Sequence, residues 1–297
     1  MCRFVLYHGA PLPIASLITE PIHSIIKQSV HADEADEPLN GDGFGVAWYA
    51  PDISPTPALF RSVTPAWSNA NLLDLSRVTR SGCVLAHVRA ATAGQPVIET
   101  NCHPFTFGPY AFMHNGDIAR FRQIRRRILD DLSDSAFGAI RGSTDSEHLF
   151  GVFLDEVEGA ELDRAPDRAE ALARALERAV QRVVALSEEM KTIVPPAPGT
   201  EDDNSWINVA VSDGIVSAAI RTTTSTTHEP SSLYVHFGQR YVCEDGVCRM
   251  IEHEAELGAV IISSERLSDD EGWQKVPRDS VVVVREDRTA KVRPMQR

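Results

Sequence analysis

The sequence predicts an α+β fold, and three observations carry the prediction. Apolar runs of strand length occupy both ends of the chain, segments of helical period fill its middle, and no linker or repeat separates the groups. The two sets of strands are therefore expected to share one core. With 297 residues, 43% hydrophobic and 24% charged, the chain has the length for a sizeable core and the composition of a globular protein. Length alone allows one large domain or two small ones; one domain over residues 2–297 is the expectation.

Phe4-Val5-Leu6-Tyr7-His8 reads as a buried strand ending at Gly9, with Pro11 and Pro13 breaking the pattern. Leu17 to Val30 has the apolar spacing of a helix, or of a loop with a small core of its own. Asn40 to Tyr49 sets Gly41, Gly43 and Gly45 within a turn that leads into a strand. No Lys-Ser/Thr opening a helix follows, so this is not a phosphate loop; close backbone approach beside a site explains the glycines better. After the proline-broken loop Pro51 to Pro57, Ala58 to Ser62 reads as a strand and Leu72 to Thr79 as a short helix. Val84 to Val88 is a strand that opens into a loop at Arg89, and sites are built at such ends. Asn101 to Phe105 is a turn. Tyr110 to His114 is a strand stopped by Asn115-Gly116-Asp117, whose Asn-Gly pair is ordinarily a hairpin signal.

Arg120, Arg122, Arg125, Arg126 and Arg127 alternate with Phe121, Ile124, Ile128 and Leu129 at helical spacing. This basic cluster is expected to be the solvated face of a helix, with a partner-docking patch as the lesser option. Ser143 or Thr144 with Glu147 has the form of a capping box ahead of the apolar run Leu149 to Leu154, and it leaves Asp145 unassigned. Arg168 to Met190 is a long amphipathic helix that stops at Pro195-Pro196-Ala197-Pro198-Gly199. The remainder alternates as strands: Trp206 to Val211, an Asp213-Gly214 turn, Ile215 to Arg221, Ser232 to Phe237, Gly258 to Ser263 and Ser280 to Arg285.

A formal charge of -13 argues against a nucleic-acid-binding protein, whose affinity comes mainly from basic groups neutralising phosphates. No stretch approaches the about 18 uninterrupted apolar residues of a membrane span, and no basic-then-apolar leader precedes Cys2. A cytoplasmic protein is expected. The five cysteines, Cys2, Cys83, Cys102, Cys243 and Cys248, form an odd, scattered set without paired zinc-type units. Cys243 and Cys248 could cross-link or hold a metal, but ordinary reduced thiols at a turn are favoured. Neither a metal nor a cofactor is expected.

Cys2 follows the initiator methionine, so removal of Met1 would put a thiol and a free α-amine on one residue. The unperturbed amine titrates near about 8 and the thiol near about 8.5, so each can exchange a proton with the other near neutral pH. N-terminal nucleophiles use this pairing. Taken alone, Cys2 reads first as a small buried residue at the head of a strand. Its company changes the reading. Arg89, Asn115-Gly116 and Asp145 are the other polar residues at strand or helix ends, and together they meet the needs of hydrolysis at a γ-glutamyl amide. A thiolate attacks the carbonyl, the Asn115 amide and the Gly116 N–H can meet the oxyanion, Arg89 can fork onto an α-carboxylate, and Asp145 can accept the α-ammonium.

The segments MCRF, GDGFG, AHVRAAT, NCHPF, HNGDI and STDSEH resemble, in this order, the class II glutamine amidotransferases, an N-terminal-nucleophile family. The resemblance implies a four-layer αββα sandwich, with the motif core in 2–150 and the strands of 205–285 completing it. It implies Cys2 as the nucleophile, Asn115 and Gly116 as the oxyanion hole, and Arg89 and Asp145 as substrate clamps. NGDGFGVAWY, TPAWSNANL and ETNCHPF carry a closer likeness to the fungal amidotransferase subunit of the glutathione-degradation complex, and next to the bacterial γ-glutamyl hydrolase of ergothioneine synthesis. The implied activity is cleavage of a γ-glutamyl amide, in glutathione or a related thiol compound, through a γ-glutamyl thioester on Cys2. A metallopeptidase-like protein is the implied partner. The alternative is a glutaminase subunit that feeds ammonia to a separate synthase. One departure favours the first: glutamine-using synthases of the class commonly have Trp after the arginine, where this chain has Ala90, and no acceptor domain follows the motifs.

Overall fold

The computed structural model describes residues 2–34, 39–92, 94–195, 203–244, 246–251 and 258–296. In chain order the first half comprises β1 (Arg3–Pro13), α1 (Ala15–Ile18), α2 (Ile25–Val30), β2 (Phe44–Trp48), β3 (Ala58–Ser62), α3 (Ala70–Val78), β4 (Arg80–Val88), β5 (Phe105–Phe107) and β6 (Tyr110–Asp117). A helical block follows: α4 (Phe121–Asp130), α5 (Asp134–Ala139), α6 (Asp145–Glu158) and α7 (Arg168–Ile193). The rest is strand: β7 (Trp206–Ser212), β8 (Ser217–Thr223), β9 (Tyr234–Gly238), β10 (Arg240–Glu244), β11 (Val247–Ile251), β12 (Ala259–Ser263), β13 (Gln274–Lys275), β14 (Ser280–Val284) and β15 (Ala290–Pro294). Met1 and residues 196–202, which include most of the proline-rich stop, lie outside the described residues. No helix among the described residues is long and apolar enough to cross a membrane.

Apart from β10 and β11, which pair with each other, the described strands form two antiparallel sheets, in the order β13-β9-β12-β1-β4-β2-β3 and β15-β14-β8-β7-β6-β5. Side chains of a strand alternate between its faces, and the buried clusters follow that period. Phe4 and Leu6 of β1 meet Met113 of β6, Ala210 of β7 and Val282 of β14 between the two sheets. Val5 and Tyr7 of the same strand face the other way, onto Leu17, Ile25 and Leu72 of the first helices. In the second sheet, Phe112, Val209 and Val283 turn outward onto Leu149, Phe153, Leu172 and Leu176 of α6 and α7. The result is helices, sheet, sheet, helices: the expected αββα layering. Central strands covered on both faces need continuous apolar runs, which is why β1 and β14 read as unbroken hydrophobic segments.

Three expectations are corrected. β1 does not end at Gly9; it continues to Pro13, with a register shift against β4 between His8 and Leu12. That irregularity takes up Pro11, which a regular central ladder would exclude. Asn115-Gly116 is not a hairpin either, because β6 runs through it to Asp117 and pairs Asn115 with Asn208 and Gly116 with Ile207 of β7. Finally, Cys243 and Cys248 are not free thiols but a disulfide. β10 and β11 form a two-stranded ladder in which these residues sit directly opposite, with Cα atoms 4.1 Å apart, so the pairing brings the sulfurs together. The other described cysteines, Cys2, Cys83 and Cys102, are free. The basic helix behaves largely as expected: α4 buries Ile124 and Ile128, while Arg127 pairs with Glu189 at 2.8 Å on the surface.

Candidate active site

Cys2 stands just ahead of β1, where the pairing of Arg3 with Val88 carries it alongside Arg89 and Ala90. Its Sγ–H donates to the Ala90 carbonyl at 3.5 Å, and its own carbonyl accepts from Arg3 Nη1 at 2.7 Å. The buried Arg3 guanidinium is held in turn by Glu265 at 3.0 Å, so the main chain at Cys2 is anchored to the loop after β12. Loss of water around the thiol pushes its pKa up, with the Ala90 hydrogen bond opposing in part. At neutral pH such a thiol needs a base to remove its proton.

Arg89 begins the loop after β4, and its main chain grips the glycine-rich turn before β2. Its N–H donates to Gly43 O at 2.8 Å, its carbonyl accepts from Asp42 N at 3.0 Å, and Asp42 Oδ2 accepts from Ala91 N at 2.8 Å. Gly43 has a φ of 114°, and a side chain there would meet Cys102 Sγ at 2.6 Å, so close backbone approach is what its glycine is for. The Arg89 guanidinium is buried, yet its contacts among the described residues, to Gln95 Oε1 and Pro96 O, are all at the 3.5 Å limit of hydrogen bonding. Its donor fork is therefore poorly used within the protein.

Asn115 follows Ala111 and Met113 on the inter-sheet face of β6, at the end where the two sheets open. It is 1% exposed, and neither its amide nitrogen nor its amide oxygen has a partner among the described residues. Leaving a buried polar group unpaired costs about 1–3 kcal/mol, and native structures rarely carry it without a functional reason. Gly116 has a φ of 155°, and a Cβ there would lie 1.7 Å from the Trp206 carbonyl oxygen. Only glycine fits.

Asp145 opens α6. Thr144 is the cap, accepting from Glu147 N, but Glu147 departs from the capping-box pattern: its carboxylate takes the N–H groups of Arg141 and Gly142, at 2.9 and 2.6 Å. Asp145 thereby gains a place on the rim of the site, with Oδ2 accepting from Ile118 N and Oδ1 from Ser146 N, both at 2.8 Å. These bonds and the helix N-terminus fix a carboxylate whose remaining lone pairs can take an ammonium.

Beneath these groups lies a set of buried histidines to which the sequence reading gave no role. His87 stacks on His103 with centroids 4.2 Å apart, and its Nε2 contacts the His114 carbonyl at 3.2 Å. His114 Nδ1 meets Ser146 Oγ at 2.9 Å. Burial pushes His87 down to about 3 and lowers His103 and His114 as well, so all three are neutral, and His103 and His114 form part of the wall of the site. Their signal was in the chain: each stands one or two residues from Arg89, Cys102 or Asn115.

Cys2, Arg89, Asn115, Gly116 and Asp145 line one cavity of about 860 Å³, together with Ala90, Gln95, Glu34, Trp206 and Lys275. That volume is at the upper end for a small-molecule pocket. A thiol, two unsatisfied amide atoms, a guanidinium and a fixed carboxylate can hold a zwitterionic head group and attack an amide attached to it.

A profile of the class-II glutamine amidotransferases matches residues 23–192. The chain is 37% identical, over 96% of its length and 82% of the relative's, to the probable glutamine amidotransferase DUG3 of Saccharomyces cerevisiae. It is 25% identical, over 96% of both chains, to the γ-glutamyl-hercynylcysteine sulfoxide hydrolase of Mycolicibacterium smegmatis. Among solved structures, a glutamine aminotransferase class-II domain protein from Silicibacter pomeroyi is similar over the whole of both chains, with a TM-score of 0.63 at 27% identity. The glutamine phosphoribosylpyrophosphate amidotransferase of B. subtilis shares the fold, with a TM-score of 0.57 at 12% identity over all of this chain and 49% of that one. The chain belongs to the class-II glutamine amidotransferase family and is an amidotransferase-like hydrolase.

Proposed function

We propose that this chain cleaves γ-glutamyl amides larger than glutamine, glutathione or a related γ-glutamyl thiol compound among them, through a thioester on Cys2. The observation that carries the reading is the convergence of Cys2, Arg89, Asn115, Gly116 and Asp145 on one cavity with volume to spare beyond a glutamyl group. Arg89 and Asp145 hold the α-carboxylate and α-ammonium. The free α-amine of Cys2 takes the thiol proton, the sulfur bonds to the γ-carbonyl carbon, and the oxyanion is met by Asn115 Nδ2 and the Gly116 N–H. The C–N bond then breaks as the leaving nitrogen takes the proton, and water cleaves the C–S bond to release glutamate and restore the thiol. Whatever precedes Cys2 must be removed for the amine to act.

One relative supports the size of the substrate, being named for hydrolysis of a γ-glutamyl-hercynylcysteine sulfoxide. The small Ala90 beside Cys2 leaves space beyond the scissile bond. Both readings share the glutamyl contacts, so discrimination must come from that space. Glutathione and γ-glutamylcysteine are expected to show higher kcat/KM than glutamine, with the isolated chain or with a metallopeptidase-like partner, and Ala90→Trp should move the ratio at least about tenfold back towards glutamine. Preference for glutamine by the wild-type chain, alone and in its complexes, would establish the ammonia-donor alternative instead. Arg89→Lys keeps the charge but loses the fork, and should raise KM for every γ-glutamyl substrate by about tenfold or more; an unchanged KM would remove Arg89 from the site.

A further inference from the structure

Cys2 divides the cavity. In the seven-stranded sheet, β1 has β4 and Arg89 on one side, and β12, β9 and β13, in that order, on the other. The register joins Val5, Ser263, Tyr234 and Lys275 into one rank across those four strands. Neighbouring strands lie about 4.8 Å apart, so β13 is about 14 Å from β1, on the side away from Arg89. A glutamyl head group held at Arg89 with its amide at Cys2 leaves its other half to the rest of the cavity, whose wall includes Glu34 and Lys275.

That far end is polar and organised. Lys275 lines the cavity, with its ammonium over the Tyr234 ring, 5.9 Å from the centroid, and 3.8 Å from Glu34 Oε2. Glu34 Oε1 accepts from the Tyr234 hydroxyl at 2.6 Å. Burial and Glu34 push that phenol up to about 12, which keeps it a donor. Glu34 is also tied to the nucleophile's strand, because its N–H and that of Asp33 donate to Glu265 at 3.2 and 2.9 Å, and Glu265 holds Arg3. At 3.8 Å the contact between Lys275 and Glu34 is an ion pair without a hydrogen bond, so the ammonium keeps donors for another anion.

We propose that Lys275, oriented by Glu34 and Tyr234, receives a carboxylate on the leaving half of the substrate, so that the preferred substrates are γ-glutamyl amides of amino acids or short peptides with a free carboxylate. The proposal rests on the γ-glutamyl hydrolysis proposed above. The dimensions agree. An extended chain covers at most about 3.5 Å per residue, so the leaving dipeptide beyond Cys2 spans about 7 Å of the about 14 Å between β1 and β13, and the lysine side chain covers most of the remainder. Glutamine, whose leaving group is ammonia, never reaches it.

The test compares γ-glutamyl-cysteinyl-glycine, its C-terminal carboxamide and γ-glutamyl p-nitroanilide on wild type, Lys275→Met, Lys275→Glu and Lys275→Arg, with thermal melts to establish folding. Wild type should favour the free carboxylate over the carboxamide by about tenfold in kcat/KM, through KM. The ratio should fall to about one in Lys275→Met, invert in Lys275→Glu and survive in Lys275→Arg. The same ratio, read as Kd by calorimetry on the Cys2→Ala protein, needs no turnover. A ratio that Lys275→Met does not move overturns the subsite. The p-nitroanilide, which has no carboxylate on its leaving half, separates the two claims: if it is cleaved while the ratio stays flat, the subsite alone fails. If no γ-glutamyl compound is cleaved or bound, the hydrolase reading fails and the subsite with it.

Discussion

Cys2→Ala should abolish turnover of every γ-glutamyl amide and leave the thermal transition close to that of wild type. The side chain is half-buried and stands before the first strand, outside the apolar clusters, so losing the sulfur removes little packing. Activity loss and stability loss are thereby separable. Cys2→Ser should be severely slowed, because the hydroxyl is the weaker nucleophile. The base has its own readout: an α-nitrogen still acylated by a preceding residue can neither take the proton nor turn towards the cavity. Intact-mass analysis of active protein should show Cys2 as its first residue, and active protein that fully retains Met1 would sink the mechanism. The pH dependence follows in sign. Burial raises the thiol, so attack depends on an unprotonated amine to take its proton, and kcat/KM should rise as pH increases through the amine's titration range. A rate independent of pH from the acid to the alkaline side would exclude that pairing.

Much of this fold was legible because its central strands are covered on both faces and its long helix on one. The unbroken apolar runs of β1 and β14 and the period of α7 reflect that burial directly. What escaped the sequence depended on partners far along the chain. The β10–β11 ladder carries half-buried, mixed residues that lack a clear alternation, so its strands do not stand out and a cross-link between Cys243 and Cys248 reads as the lesser option. The Asn115-Gly116 pair reads in sequence as the stop of a strand, since the local propensity of Asn-Gly favours a hairpin turn. Pairing with Asn208 and Ile207, remote in sequence, instead keeps the segment extended. The five candidate residues were nameable because their types match one chemistry. Glu34 and Lys275 were not, since an ordinary surface charge looks the same in sequence as one that rank and register bring to a cavity.

Asn115→Ala should lower kcat by about 10²–10³ with a much smaller change in KM, the loss expected when one oxyanion donor is removed from a preorganised site. The stability effect separates this role from a structural one. In the free protein neither amide atom of Asn115 has a partner among the described residues, so alanine deletes a buried polar group without breaking a protein hydrogen bond. The folded state should lose little, and relief of an unpaired group of that kind can offset the lost contacts. A hairpin residue would behave otherwise: its truncation would lower the melting temperature and leave the chemistry of the correctly folded fraction intact. Asn115→Asp sharpens the contrast by placing a carboxylate of nearly the same shape where the oxyanion forms, and it should be slower than the alanine variant, through like-charge repulsion at the moment of attack. If Asn115→Ala retains near wild-type kcat while its melting temperature drops, the residue is a strand component, and the Gly116 N–H with some other donor must meet the oxyanion.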